Sequence, residues 1–293
     1  MMTVDVDQIP APTPTFGQRL YGRSVYLVVG PVGGKGRRIE GLRISWSIKK
    51  GKQKKPDPAT IQVWNLSEDT RSWIFQNGGQ VFVYAGYGEQ PGQLFQGDID
   101  RATAKRNGTD WVLEIEARDG GGKYAGGQMG ESYATATDSN KVLSRMAAAM
   151  GLSGLQKPSD LDVVSFARGW SHFGPGRDAL DKLVRQLGAE WSIQDDQLVI
   201  TRAGGPSGEP VVYLDTGEDG GINTGLLRVD NAKDDRNELL KCLALTNGDI
   251  KPKGRVYLTS RRYTGLVQVV TVEHKGDSGW DTNYYTEFEA KAI

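Results

Sequence analysis

Residues 42–50 read LRISWSIKK, with Leu42, Ile44, Trp46 and Ile48 alternating strictly with Arg43, Ser45, Ser47 and Lys49. Successive side chains of a strand leave opposite faces, so this stretch is a β-strand with one apolar and one polar face. Downstream, Ile61, Val63 and the adjoining Trp64 continue the pattern as far as Asn65. Ser67 then suits a helix N-cap, with Glu68 and Asp69 where the helix dipole favours acids. A short helix carrying Trp73, Ile74 and Phe75 follows and stops at Gly78 and Gly79. Upstream, Ser24 to Val29 is a β-branched run ending at Gly30. Strands resume at Val81–Tyr87 and Leu94–Lys105, and Asn107-Gly108 is the strongest hairpin signal in the chain. Beyond it Trp111, Leu113, Ile115 and Ala117 alternate with Val112, Glu114, Glu116 and Arg118. So many strands around one small helix hide their edges by closing, so residues 21–120 are expected as a tube-like antiparallel β-barrel.

The pattern changes at residues 121–135, which are glycine-rich and polar. Ser139 is expected to cap a helix with Val142, Leu143, Met146, Ala147 and Met150 on one face and Gly151 as its stop. A second helix from Asp178 turns Leu180, Leu183, Val184 and Leu187 inward and ends at Gly188. It feeds a hairpin, Trp191 and Ile193 against Leu198 and Ile200, turning at Asp195-Asp196. Residues 121–206 therefore form a small α+β module. Strands return at Val211–Leu214, Leu239–Leu245, Arg255–Leu258, Leu266–His274 and Tyr284–Glu289, which makes 207–293 a second tube-like barrel. No repeat is visible in the sequence itself. Residues 1–20 carry Pro10, Pro12 and Pro14 and read as an extended arm, either a free tail or one ordered by a partner.

The fold class expected is thus mainly β with an α+β insert, two barrels flanking the module. At 293 residues the chain is long enough for more than one core, and its 39 glycines punctuate many short strands. No apolar run approaches the roughly 18 residues of a membrane helix. The first twenty residues hold Asp5, Asp7 and prolines with no apolar h-region, so no secretory signal is expected. A single cysteine, Cys242, excludes an internal disulfide framework and fits a reducing cytoplasm. Lys+Arg equals Asp+Glu at 36 each, which removes any global pull toward nucleic acid or anionic membrane.

Motifs with chemistry fail on their own terms. Gly30–Gly36 (GPVGGKG) is one residue short of a phosphate loop, has Gly36 where a hydroxyl is required, and no helix follows, so it reads as a hairpin tip. Lys49–Lys55 holds five lysines in seven positions. It fits a solvated hairpin loop, a nucleic-acid patch, or a contact with an acidic groove on a neighbouring subunit, and the sequence does not choose. His172 and His274 are the only histidines and lack metal-ligand spacing. Cys242 lies in an apolar strand, where a thiol is a small hydrophobe. Asp98 with Asp100, and Glu114 with Glu116, are the carboxylate pairs a glycosidase reading would use, although such pairs mark any solvated strand face. No catalytic, metal or cofactor residue is therefore assigned. Seven tryptophans and eleven tyrosines suit barrel cores and interface anchors.

Three stretches, LRISWSIKK with IQVWNLSEDTRSWI and VFVYAGYGEQPGQLFQGDI, then DALDKLVRQLGAEWSIQDDQLVI, then KGRVYLTSRRYTGLVQVVTVEHKGDSGWDTNYYTEFEA, occur in one order from Tyr21 to the C-terminus. Together they resemble the baseplate hub family of contractile-tailed phages, related to late control protein D and to the spike base of type VI secretion. The resemblance implies a homotrimer whose two barrels per chain make a pseudo-sixfold ring, adapting a sixfold tail tube above to a trimeric spike below. It also implies contacts with tube-initiator, wedge and tape-measure proteins, DNA only in transit through the lumen, no membrane anchoring, and a place in the virion tail after assembly in the host bacterial cytoplasm. Hubs of this type have no active site unless a lysozyme-like domain is attached, for which this length leaves no room. The lysine loop and the proline arm depart from the family pattern. Two readings from other classes stand beside it: a tail-tip cell-wall hydrolase using Asp98 or Glu114, and a carbohydrate-binding β-domain stacking sugars on surface tryptophans.

Overall fold

The computed structural model describes residues 3–5, 22–51, 57–120, 127–158, 161, 163–207, 210–218, 222–234, 237–279 and 283–293. The chain is mainly β with a small α+β part. Its described residues fold as two compact units, one drawn from 1–51, 57–118 and 211–293, the other from 119–210.

The first unit opens with β1 (Thr3–Asp5), β2 (Arg23–Gly30), β3 (Lys35–Ile39), β4 (Ile44–Lys50) and β5 (Pro58–Trp64). Helix α1 (Glu68–Asn77) precedes β6 (Gln80–Tyr87), the long β7 (Gln93–Asn107) and β8 (Asp110–Arg118). The alternation that predicts β4 is realised: Ile44, Trp46 and Ile48 are buried while Ser45, Ser47 and Lys49 stay on the other face. Ser67 caps α1 by accepting the Thr70 N–H at 3.3 Å. Gly30–Gly36 is the tip of the β2–β3 hairpin. The β7–β8 hairpin turns through Gly108 at φ 62°, a conformation glycine adopts without Cβ strain. Of the proline arm, only β1 lies among the described residues, paired with Lys35–Arg37. Lys52, Lys54 and Lys55 of the lysine loop lie outside the described residues.

The second unit holds β9 (Gln128–Tyr133), β10 (Thr137–Asp138), helix α2 (Ser139–Ala149), β11 (Gly154–Gln156), β12 (Ser165–Phe166), β13 (Trp170–Pro175), helix α3 (Gly176–Gln186), β14 (Ala189–Gln194) and β15 (Gln197–Arg202). Its core joins Val142, Leu143 and Met146 to Leu180, Leu183, Trp191 and Leu198. The cap of α2 is Asp138 rather than Ser139: the Asp138 carboxylate accepts the Lys141 N–H at 2.8 Å, whereas the Ser139 hydroxyl accepts Val164 N–H. Asp195 and Asp196 turn the β14–β15 hairpin with positive φ. Their N–H groups are fixed by the fully buried Asp119 carboxylate, at 2.7 and 3.2 Å. Removing that acceptor would strand two turn donors.

The first unit then resumes with β16 (Val212–Asp215), β17 (Leu226–Asp234), β18 (Asn237–Leu245), β19 (Arg255–Thr259), β20 (Thr264–Asp277) and β21 (Tyr284–Ala292). The strands on either side of the module share one hydrogen-bonded order, β1-β3-β2-β6-β7-β8-β5-β4-β20-β21-β18-β17, with β19 on β20 and β16 on β19. The sheet nevertheless encloses two cores. One gathers Leu27, Val83, Phe95, Ile115, Ile61 and Trp46, and the other Leu214, Leu258, Val267, Phe288, Cys242 and Val229. The sheet therefore folds over itself twice, once at each long strand. Both long strands carry a bulge at that place, between Ile99 and Arg101 in β7 and between Val269 and Thr271 in β20.

The ladders repeat. The order β7-β8-β5-β4, with β6 on the flank of β7, is matched by β20-β21-β18-β17, with β19 on the flank of β20. The chain thus uses one strand plan twice, and the plan is visible only as pairing.

Candidate functional site

The end of the first four-strand set meets the start of the second where β4 pairs antiparallel with β20, Lys50 opposite Val272 through Ser45 opposite Asp277. This joint lets each strand satisfy the other's edge. Trp46 lies across Gly276, where a Cβ would fall 2.0 Å from the indole, so only glycine fits. The Trp46 ring meets Tyr284 edge-on at 5.1 Å, and Tyr87 meets Tyr284 at 5.6 Å. Tyr284 comes from the last strand yet sits in the first core. Its hydroxyl lies 2.7 Å from the Ser24 carbonyl and 3.0 Å from the Gly86 carbonyl as a donor, and accepts the Gly86 N–H at 3.1 Å. At the rim, Arg43 donates to Asp277 from Nη2 at 2.8 Å and from Nε at 3.1 Å, while its guanidinium covers Trp64 at 4.4 Å. Burial pushes the Asp277 carboxyl up. The Arg43 hydrogen bonds, the Gly279 N–H and the Arg43 charge outweigh burial and hold it below its usual value. Ser278 completes the joint, its hydroxyl accepting Ile44 N–H and donating to the Leu42 carbonyl.

The joint makes a run of eight strands, β7-β8-β5-β4-β20-β21-β18-β17, in which every neighbouring pair is antiparallel. One face lies on both cores; the other is polar. Across the polar face Gln62 donates to Glu114 at 2.8 Å, Lys275 meets Glu273 at 2.9 Å, Lys241 meets Glu287, and Arg228 meets Asp230 at 2.7 Å. Among the described residues, no strand pairs with the outer side of β17 or of the 101–107 stretch of β7. Among the described residues both ends of the run are open edges.

The residues singled out from sequence do not converge. Asp98, opposite Arg118 in the ladder, accepts from Gln80 at 3.2 Å, and Asp100, at the bulge between Ile99 and Arg101, accepts from Arg118 at 2.5 Å. Glu114 and Glu116 do share the polar face, Glu114 beside Gln62 and Glu116 opposite Thr60 and Arg101. His274 is buried against the Thr286 hydroxyl, and His172 stacks on Trp170 in the other unit. Cys242 is fully buried, and burial followed by the Asp230 charge pushes its thiol up to about 12, far from a nucleophile's range. Lys49 meets Glu273 at 3.6 Å across the joint, and Lys50 is buried. Trp46 is core, whereas Trp111 is exposed with Arg71 over its ring at 4.6 Å. Among the described residues, no cluster of three or more His, Cys, Asp or Glu is placed to hold a metal ion.

No protein-family model and no curated protein matches the chain. Among solved structures its fold recurs in the tail protein of Neisseria meningitidis MC58, at 14% identity and TM-score 0.60, over 92% of this chain and 97% of that one. It recurs in the 43 kDa tail protein of prophage MuSo2 from Shewanella oneidensis, at 10% identity and TM-score 0.59, over 93% and 98%. A Francisella PdpA–VgrG complex aligns at 6% identity and TM-score 0.52, over 95% of this chain and 59% of that one. At such identities the likeness is one of fold, and it spans both units' residues.

Proposed function

We propose that the chain is a structural component of a phage-type tail, a baseplate hub without chemistry of its own, built into a trimeric ring between a sixfold tube and a threefold spike. The observation that carries this reading is the twice-used four-strand plan ending in two open edges. Because the run has an even number of alternating strands, the strand after β17 must run as β7 does, so copies can continue the sheet head to tail without breaking its antiparallel order. Three copies then present six equivalent four-strand units, which matches a sixfold neighbour on one side and a threefold one on the other. In such a ring the polar face turns inward, since both cores and their covering strands occupy the other side. Its acids and bases largely cancel, which leaves DNA in transit little to hold. The site of action is the tail of the virion, after assembly in the host bacterial cytoplasm. Mass photometry of the chain alone and with its spike protein is expected to find trimers, and two-dimensional class averages a ring of six lobes. Monomers under both conditions would overturn the reading.

A further inference from the structure

We propose that copies of this chain join edge to edge, β17 of one against residues 101–107 of β7 of the next, in a register that sets Asp230 opposite Lys105. This rests on the ring reading above and adds to it which edges meet and how they align.

The register follows from the joint already inside the chain. In the first set, Ala102 stands opposite Ile115, Ile115 opposite Ile61, and Ile61 opposite Trp46. In the second, Val272 stands opposite Phe288, Phe288 opposite Cys242, and Cys242 opposite Val229. Ala102 therefore takes the place of Val272, and Val229 the place of Trp46. Both long strands run on from there without a further shift, so Lys105 takes the place of Lys275 and Arg106 that of Gly276. Inside the chain Trp46 pairs with Gly276 and Ser47 with Lys275. The same joint made between copies brings Val229 opposite Arg106, Asp230 opposite Lys105 and Arg228 opposite Asn107.

Three independent features agree with that alignment. Both edges lack a strand partner among the described residues. Their senses are antiparallel, as in the internal joint. Their charges complement: Asp230, which holds Arg228 at 2.7 Å and Arg262 at 3.3 Å within the chain, meets Lys105 at the centre, and no like charges stand opposite. Leu227, 43% exposed on β17, adds apolar surface to the same edge. A slip of one residue would turn the polar positions of β17 to the core side, so the register is set by the pleat as well as by charge.

The test is a disulfide. Side chains directly opposite in an antiparallel pair lie about 5 Å apart at Cβ, whereas diagonal neighbours lie at about 7–8 Å. Lys105→Cys with Asp230→Cys in one chain is expected to give, on mild oxidation, a covalent ladder ending at the trimer. Either single variant should stay uncrosslinked, and Thr103→Cys with Asp230→Cys should be at least tenfold less efficient. Cys242 is buried and can remain. Preferred bridging through Thr103 would overturn the register. Rings seen by mass photometry with no bridging from either pair would overturn the choice of edges while leaving the ring itself standing. Monomers alone would overturn the ring reading, and this inference with it. Charge removal gives a readout free of cysteine chemistry: Lys105→Glu is expected to weaken association roughly tenfold or more, and Asp230→Asn added to it to recover much of that loss, because it removes the like charge opposite. A double variant as weak as the single one counts against the pairing.

Discussion

The two halves of the long sheet follow one pairing plan with different fillings. At the position that closes each four-strand set, the first half carries Trp46 and the second Val229. The first core is anchored by Trp46, Phe95 and Tyr284, while the second is largely aliphatic around Phe288. At the matching place on the long strand, the second half carries Gly276 and the first Arg106. The difference follows the position of each edge in the chain. Where the joint lies within the chain it can be locked by a large side chain over a bare backbone; where it faces outward the same places hold a small apolar residue and a soluble cation. The plan is carried by the backbone ladder, and the side chains record whether a given edge is internal or free.

The largest expected effect breaks the comparison at its centre. Trp46→Ala removes a buried indole at the internal joint and should cost about 3–5 kcal/mol in urea unfolding, whereas Val229→Ala at the matching place should cost about 1.5 kcal/mol. Equal losses would mean that the two places are not filled according to position. A sharper version uses the glycine. Gly276→Ala forces a methyl into the Trp46 ring and should cost about 1–3 kcal/mol, while Arg106→Ala at the corresponding place should stay within about 0.5 kcal/mol in the monomer. Because the clash is with Trp46 itself, Gly276→Ala placed on Trp46→Ala should cost less than it does alone.

Much of this was legible in the residues and some was not, for physical reasons. The period-two runs at Ile44–Ile48 and Trp111–Ala117 are strands, Ser67 is a cap, and Gly108 turns a hairpin, because each signal is local. Strand β17 was missed although it forms an open edge. Its stretch Asp230-Asn231 onward is rich in residues that strands avoid, and an edge strand tolerates them because solvent takes its unpaired groups. Strand β3 hid behind glycines at Gly33, Gly34 and Gly36. The internal joint had no local signature at all, since Arg43 and Asp277 are 234 residues apart. The repeated pairing order has no trace in the residues because Trp46 and Val229, or Gly276 and Arg106, share a place in the ladder and nothing in their chemistry.

The smallest effect tests whether the joint is fastened at its rim as well as its core. The folded Asp277 carboxyl ionises below the usual carboxylate range because Arg43 and the Gly279 N–H favour its anion more than burial opposes it. A group whose folded pKa is depressed contributes stability above its unfolded value near 3.8 and loses it as pH falls through the lower folded value. Asp277→Asn should therefore lower stability at pH 7 by about 1 kcal/mol, a small figure because Arg43 is half exposed and partly screened. The variant and the parent should converge only once the pH is below the folded value, which itself lies under 3.8. Arg43→Gln should give the same neutral-pH loss, and the double variant no more than either alone, if the pair acts as one unit. Among the described residues no corresponding clasp is built at the outer edge, where Arg228 takes the place of Ser45 and Asn107 that of Asp277. Asp277→Asn should therefore leave association between copies at pH 7 unchanged, and a loss there would show that the internal clasp also shapes the outer edge.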